Sequence, residues 1–157
     1  MPSSVYIETS IISYLAARSS SDIVVAAHQR LTQRWWQERR SLFSLFMSEL
    51  VLTEAGAGDA EAAERRLAIA AGIPSLSIVP PVEELALRII QHAQLPARAA
   101  ADTIHVAVAA VHRIDYLLTW NVRHIANAEV RRAVEAACHA GGFTPPVLCT
   151  PEELMGL

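Results

Sequence analysis

Short β-branched or aromatic runs alternate with helical stretches along this chain, and that alternation constrains its fold more than any other feature. "SVYI" at 4–7 has no helical period and reads as a strand, followed by a short helix at about 10–17. A long helix at 21–40, which Ser21 can cap, repeats Val24, Ala27, Leu31 and Trp35 at helical spacing. A second strand at 41–46 leads to a helix at 48–58 that stops at glycines, then to one at 59–73 with Asp59 near its start and Gly72 at its end. A strand at 75–79, closed by Pro80 and Pro81, precedes a helix at 82–95 ended by Pro96. An apolar helix at 97–114, a strand at 115–120, a helix at 127–142 and a last strand at 146–150 complete the pattern. Strands alternating with helices imply βαβ units. The expected fold is therefore α/β, a three-layer α/β/α sandwich with a mainly parallel central sheet.

The 157 residues suit one domain over 1–157, with no linker, repeat or low-complexity tract. Hydrophobic residues make up 52% and charged ones only 18%, which excludes a disordered chain. The net charge of -3 gives no global basic signal for nucleic acid, and all 13 basic residues are Arg. With two cysteines, no secretory leader pattern and no apolar run of membrane-spanning length, a cytoplasmic, non-membrane protein is expected.

Three acids stand in apolar surroundings. Glu8 follows the first strand, Glu54 shares a helical stripe with Leu50 and Val51, and Asp102 begins the most apolar helix of the chain. Each has an ordinary reading. Glu8 would be a turn residue beside a Ser10 cap, and Asp102 would complement a helix N-terminus. Each also has a functional reading, because open α/β sheets place ligands at the carboxyl ends of their strands. No Lys exists to pair with these acids, and Arg98 is the only basic residue close before Asp102. Three converging carboxylates would need neutralising, and a hard divalent cation with oxygen ligands does that. Such a cation supports phosphodiester hydrolysis by an activated water.

"ETS", "SELVLTE", "ADTIHVAVAA" and "YLLTWN", in that order, resemble the motifs of the PIN domain, specifically the bacterial VapC-type toxins of type II toxin–antitoxin pairs. The resemblance runs from about Val5 to about Asn127 and rests on Glu8-Thr9-Ser10, on Ser48 with Glu54, on Asp102, and on Thr119-Trp120-Asn121. It implies an Mg²⁺- or Mn²⁺-dependent endoribonuclease acting on RNA, often a homodimer, inhibited by a small cognate antitoxin. It implies catalytic roles for Glu8, Glu54, Asp102 and Asn121, with metal held by Glu8, Glu54 and Asp102. Ser10 would orient Glu8 or a bound water, with Thr119 and His124 also placed to orient substrate or ligand. Two positions depart from the pattern: Glu8 stands for Asp, one methylene longer, and Asn121 stands for Asp. The first departure supports an alternative, a catalytically silent PIN-like module that binds RNA or a protein partner.

Glu49 rivals Glu54 but points off its stripe. His105 and His112 lie two turns apart on one helix, without the i, i+4 spacing that zinc sites favour. His124 follows the fourth motif and is open to a substrate contact or a structural hydrogen bond. Trp35 and Trp36 cannot both face one core. With Arg30, Arg34, Arg39 and Arg40 they offer a surface for RNA stacking and phosphate contacts, or for a protein partner. A third reading is a receiver-like or Ca²⁺-binding α/β domain with an acidic pocket; receivers need a Lys, and the absence of any Lys argues strongly against it.

Overall fold

The computed structural model describes residues 1–156. Five strands form one all-parallel sheet: β1 (Ser4–Ile7), β2 (Ser44–Ser48), β3 (Ser75–Leu76), β4 (Tyr116–Leu118) and β5 (Val147–Cys149), in the order β3-β2-β1-β4-β5. Seven α-helices connect them: α1 (Thr9–Ala16), α2 (Ile23–Glu38), α3 (Glu49–Ala55), α4 (Ala60–Ala70), α5 (Pro80–Ala93), α6 (Ala100–Val111) and α7 (Ala128–Ala140). Right-handed crossovers running one way from β1 and the other way towards β5 put helices on opposite faces. Accordingly α1, α2, α3 and α4 pack together, as do α5, α6 and α7. This is the expected three-layer sandwich.

β1 sits at the centre because both its edges are paired, Tyr6 lying beside Phe46 of β2 and Leu117 of β4. Its Val5, Tyr6 and Ile7 are fully buried, as an apolar run covered on both faces requires. The chain leaves β1 in one direction and later returns to β4 on its other side. The switch point of the sheet therefore lies at the carboxyl ends of β1 and β4, the place where open α/β sheets take their ligands.

Local differences from the sequence reading have local causes. Asp22, not Ser21, caps α2, its Oδ1 accepting from the Val25 amide at 3.0 Å. β3 is only two residues long, and Pro80 and Pro81 open α5 rather than close the strand, since the first helical positions need no amide donor. Gln94, in the left-handed conformation, ends α5 before Pro96 is reached. Trp120 locks α2 to the end of β4: its ring stacks on His28 at 4.0 Å and its Nε1 donates to Thr32. Among the described residues no helix is long and apolar enough to cross a membrane.

Candidate functional site

The first-motif carboxylate is built by the turn from β1 into α1. Glu8 has extended backbone angles and caps α1, accepting from the Ser10 amide at 2.8 Å and from Ser10 Oγ at 2.7 Å. Thr119 Oγ1, just beyond β4, also donates to it. Ser10 Oγ in turn accepts from the Trp120 amide at 2.8 Å, and Thr119 Oγ1 accepts from the Asn121 amide at 2.9 Å. Glu8 is only 6% exposed, and both of its oxygens are taken. Three hydrogen bonds, from the Ser10 amide and the Ser10 and Thr119 hydroxyls, thus make it a brace across the switch point, joined by the backbone bond from the Glu8 amide to the Leu118 carbonyl.

Glu54 lies in the last turn of α3 and points to the opposite layer. Its Oε1 accepts from Thr9 Oγ1 at 2.6 Å and faces Nε2 of His105 on α6 at 2.6 Å. His105 is 1% exposed, and its Nδ1 lies 2.7 Å from the Tyr6 hydroxyl, which is 2.7 Å from Ser48 Oγ. The row Ser48–Tyr6–His105–Glu54 leads from the core to a carboxylate that keeps a third of its surface in solvent. Burial by itself raises the Glu54 carboxyl, but the His105 hydrogen bond and charge, with the Thr9 bond, hold it below its ordinary range. Burial also pushes the Tyr6 phenol up, so it stays a neutral hydrogen-bonding group. Glu49, by contrast, is exposed at the start of α3.

Asp102 occupies the first turn of α6, where a negative charge is favoured by the helix dipole. It caps no amide of the helix; its Oδ2 instead faces His124 Nδ1 at 2.9 Å. Asn121 makes this possible by folding the 121–124 turn, its Oδ1 accepting from the His124 amide at 3.0 Å. His105 is three residues after Asp102 and so on the same helical face, one turn along. Glu54, bonded to His105, is therefore anchored on the α6 face that carries Asp102.

The acids expected to lack any cationic partner in the protein thus have imidazole and hydroxyl partners. That expectation is corrected: the absent Lys is replaced by His105, His124, Thr9, Ser10 and Thr119. His105 and His112 do not form a pair, because His112 Nε2 bonds the Ser77 carbonyl at 2.8 Å. Sequence reasoning missed Tyr6 and Thr9, and missed His105 as a partner of Glu54. The available signals were a phenol buried in a central strand, which needs a polar partner, and the i, i+3 spacing of Asp102 and His105.

The arginine–tryptophan surface lies elsewhere. Trp35 is fully buried and its Nε1 donates to the Leu154 carbonyl, so it is withdrawn from any RNA or partner surface. Arg34 pairs with Glu38 at 3.1 Å, Arg39 packs over the Phe43 ring, and Arg40 lies over Trp36 at 4.7 Å. Arg30 is exposed. The end of α2 feeds the start of β2, so Trp36, Arg39 and Arg40 stand at the amino ends of the strands, opposite the acids. An open groove of about 670 Å³, lined by Trp36, Arg40, Phe43 and Pro74 among others, is at that same end.

Among the described residues, no three His, Cys, Asp or Glu side chains are grouped so as to hold a metal ion by themselves. Two carboxylates keep one oxygen free: Glu54 Oε2 and Asp102 Oδ1 take no protein hydrogen bond among the described residues, and their side chains are 33% and 22% exposed. Mg²⁺ keeps several waters and is commonly bound by one or two carboxylates plus substrate phosphate oxygens. Compared with known families and proteins, the chain matches no family model and no curated protein.

Proposed function

We propose that this chain is a metal-dependent endoribonuclease that hydrolyses RNA phosphodiester bonds at the switch point of its sheet. The observation that carries the reading is the pair of partly exposed carboxylates, Glu54 of α3 and Asp102 of α6, each with one oxygen outside any hydrogen bond among the described residues, Glu54 being bonded to His105 one turn along α6 from Asp102. RNA as the substrate, a homodimer and a cognate antitoxin follow from the resemblance of the four motifs to VapC-type PIN domains, and rest on it.

Bound there, Mg²⁺ or Mn²⁺ would supply an activated water and a charge to offset the leaving oxygen. Glu54 and Asp102 would hold it. Glu8 keeps Ser10, Thr119 and Asn121 in register, and so shapes the floor of the site without facing substrate. Asn121 holds the turn that carries His124 against Asp102. Arg98 and Arg123, both exposed and close in sequence to Asp102 and Asn121, are the guanidinium groups suited to phosphate contacts.

A second reading, a silent module that binds RNA or a protein, is favoured by the full engagement of Glu8 and by the absence of a three-residue metal cluster among the described residues. Incubation of the purified protein with single-stranded RNA in Mg²⁺ or Mn²⁺, beside an EDTA control, separates the two. The nuclease reading expects cleavage that EDTA stops, that Glu54→Gln and Asp102→Asn abolish, and that Glu49→Gln leaves in place. A parent protein with no metal-dependent cleavage of any RNA pool overturns the nuclease reading and favours the silent module.

A further inference from the structure

We infer that the open edge of β2 at Leu45, with the groove beside it, docks an acidic, extended peptide segment of a partner protein, which adds a short strand to the sheet. The site lies at the amino ends of the strands, opposite Glu54 and Asp102, and goes beyond the activity proposed above.

The edge is open for a reason in the sequence. The Ser44 amide bonds the Ser3 carbonyl, so in this parallel ladder Ser44 and Phe46 direct their main-chain groups to β1, and Leu45 turns its amide and carbonyl the other way. On that side β3 pairs only with Met47 and Ser48, beginning with the bond from the Met47 amide to the Pro74 carbonyl. One step back along the ladder, the group that would reach the Leu45 carbonyl is the amide of residue 74, and proline has none. The Leu45 amide and carbonyl accordingly have no main-chain partner among the described residues. Unpaired groups on a sheet edge are a template for another strand. Beside them runs the groove of about 670 Å³, walled by Trp36 and Arg40 on the α2 side and by Ile69 of α4, with Pro74 at the edge itself. Main-chain bonds at such an edge supply affinity, and apolar pockets beside it take alternate side chains of the added strand.

Charge and shape choose the occupant. No acid lines the groove, and Arg40, exposed and in no ion pair among the described residues, is its one charged wall. A carboxylate on the incoming segment is matched there and a basic segment is repelled. RNA fits poorly. Arg40 lies 4.7 Å over the Trp36 ring and takes a face on which a base would stack, and a single guanidinium makes no phosphate track. A second copy of this chain also fits poorly, because its β2 edge is recessed between the same walls, which would meet before the edges did.

The test is selection from a random heptapeptide library displayed on phage, then titration of a selected peptide into ¹⁵N-labelled protein followed by amide NMR. Selected peptides are expected to carry Asp or Glu beside β-branched or aromatic residues, to shift the Leu45 amide and to slow its hydrogen exchange. Arg40→Glu, a change at an exposed position, is expected to weaken binding about 10-fold, as loss of one charge-assisted bond does. Leu45→Pro deletes an amide that no ladder bond uses and is expected to weaken binding about 5-fold, with circular dichroism recording that it is folded. Should Leu45→Pro fail to fold, N-methylation of the peptide backbone removes the same edge bonds from the other partner and is expected to weaken binding by as much. A library that yields no binder, binders without acids, or binding indifferent to Arg40→Glu overturns the proposal. A concentration-dependent dimer that protects the Leu45 amide overturns it in favour of a second copy. Single-stranded RNA that shifts the Leu45 amide in the parent but not in Arg40→Glu overturns it in favour of RNA.

Discussion

Glu8→Gln distinguishes a brace from a ligand without any substrate. In the folded protein the Glu8 carboxylate accepts from the Ser10 amide, from Ser10 Oγ and from Thr119 Oγ1 in a site only 6% exposed. Gln keeps one acceptor oxygen and replaces the other with an amide group. One orientation of that amide sets its N–H against the Ser10 amide donor, and the other leaves the Ser10 and Thr119 hydroxyls without their acceptor. Losing the cap bond to Ser10 costs about 1 kcal/mol. Hydrogen bonds to a charged acceptor are roughly twice as strong as neutral ones, so weakening the remaining pair costs about another 1 kcal/mol. A loss of about 2 kcal/mol corresponds to about 4–8 °C in melting temperature for a chain of this size. The assay is a thermal melt of both proteins in EDTA, read by circular dichroism. If Glu8 chiefly serves a cation beside Glu54 and Asp102, removing its charge relieves repulsion in the metal-free protein. A Glu8→Gln variant that melts at or above the parent temperature in EDTA would therefore refute the brace.

Trp35→Ala should cost about 3–5 kcal/mol, as expected of a large core aromatic, whereas Trp36→Ala on the half-exposed neighbour should cost about 1 kcal/mol, mostly through its Arg40 contact; urea melts check both. Glu54 is held below its ordinary carboxyl value, so its contribution is full above about pH 4.5 and is lost as pH falls through the lower folded value. The parent should accordingly be more stable than Glu54→Gln in EDTA at pH 6, with the gap closing towards pH 3; a gap that widens on acidification contradicts the assignment. Burial pushes the Cys138 and Cys149 thiols up to about 11 and about 12, so both should resist Ellman's reagent at pH 8 in the native protein and react promptly in guanidinium.

Much of this architecture is a local property of the chain. The alternation of short β-branched runs with helical periods is enough to imply a parallel α/β sandwich, because period 2 and period 3.6 are set by backbone geometry over a few residues. The same locality explains why Glu8, Glu54 and Asp102 are conspicuous: an acid among apolar neighbours is visible without a fold. Errors such as the role of Pro80 and Pro81 are boundary errors, where one proline suits the end of a strand and the start of a helix equally well.

The partners of those acids are another matter. Tyr6 and His105 are 99 residues apart, His105 and Glu54 51, and Glu8 and Thr119 111. Such pairs exist only because β1 lies between β2 and β4, a strand order that no periodicity encodes. By itself the sequence determined the layers, the elements and which acids were out of place. The tertiary structure decided that Glu8 is bonded to Ser10 and Thr119 while Glu54 and Asp102 each face a histidine, because a hydrogen bond across the fold depends on topology and register rather than on spacing along the chain.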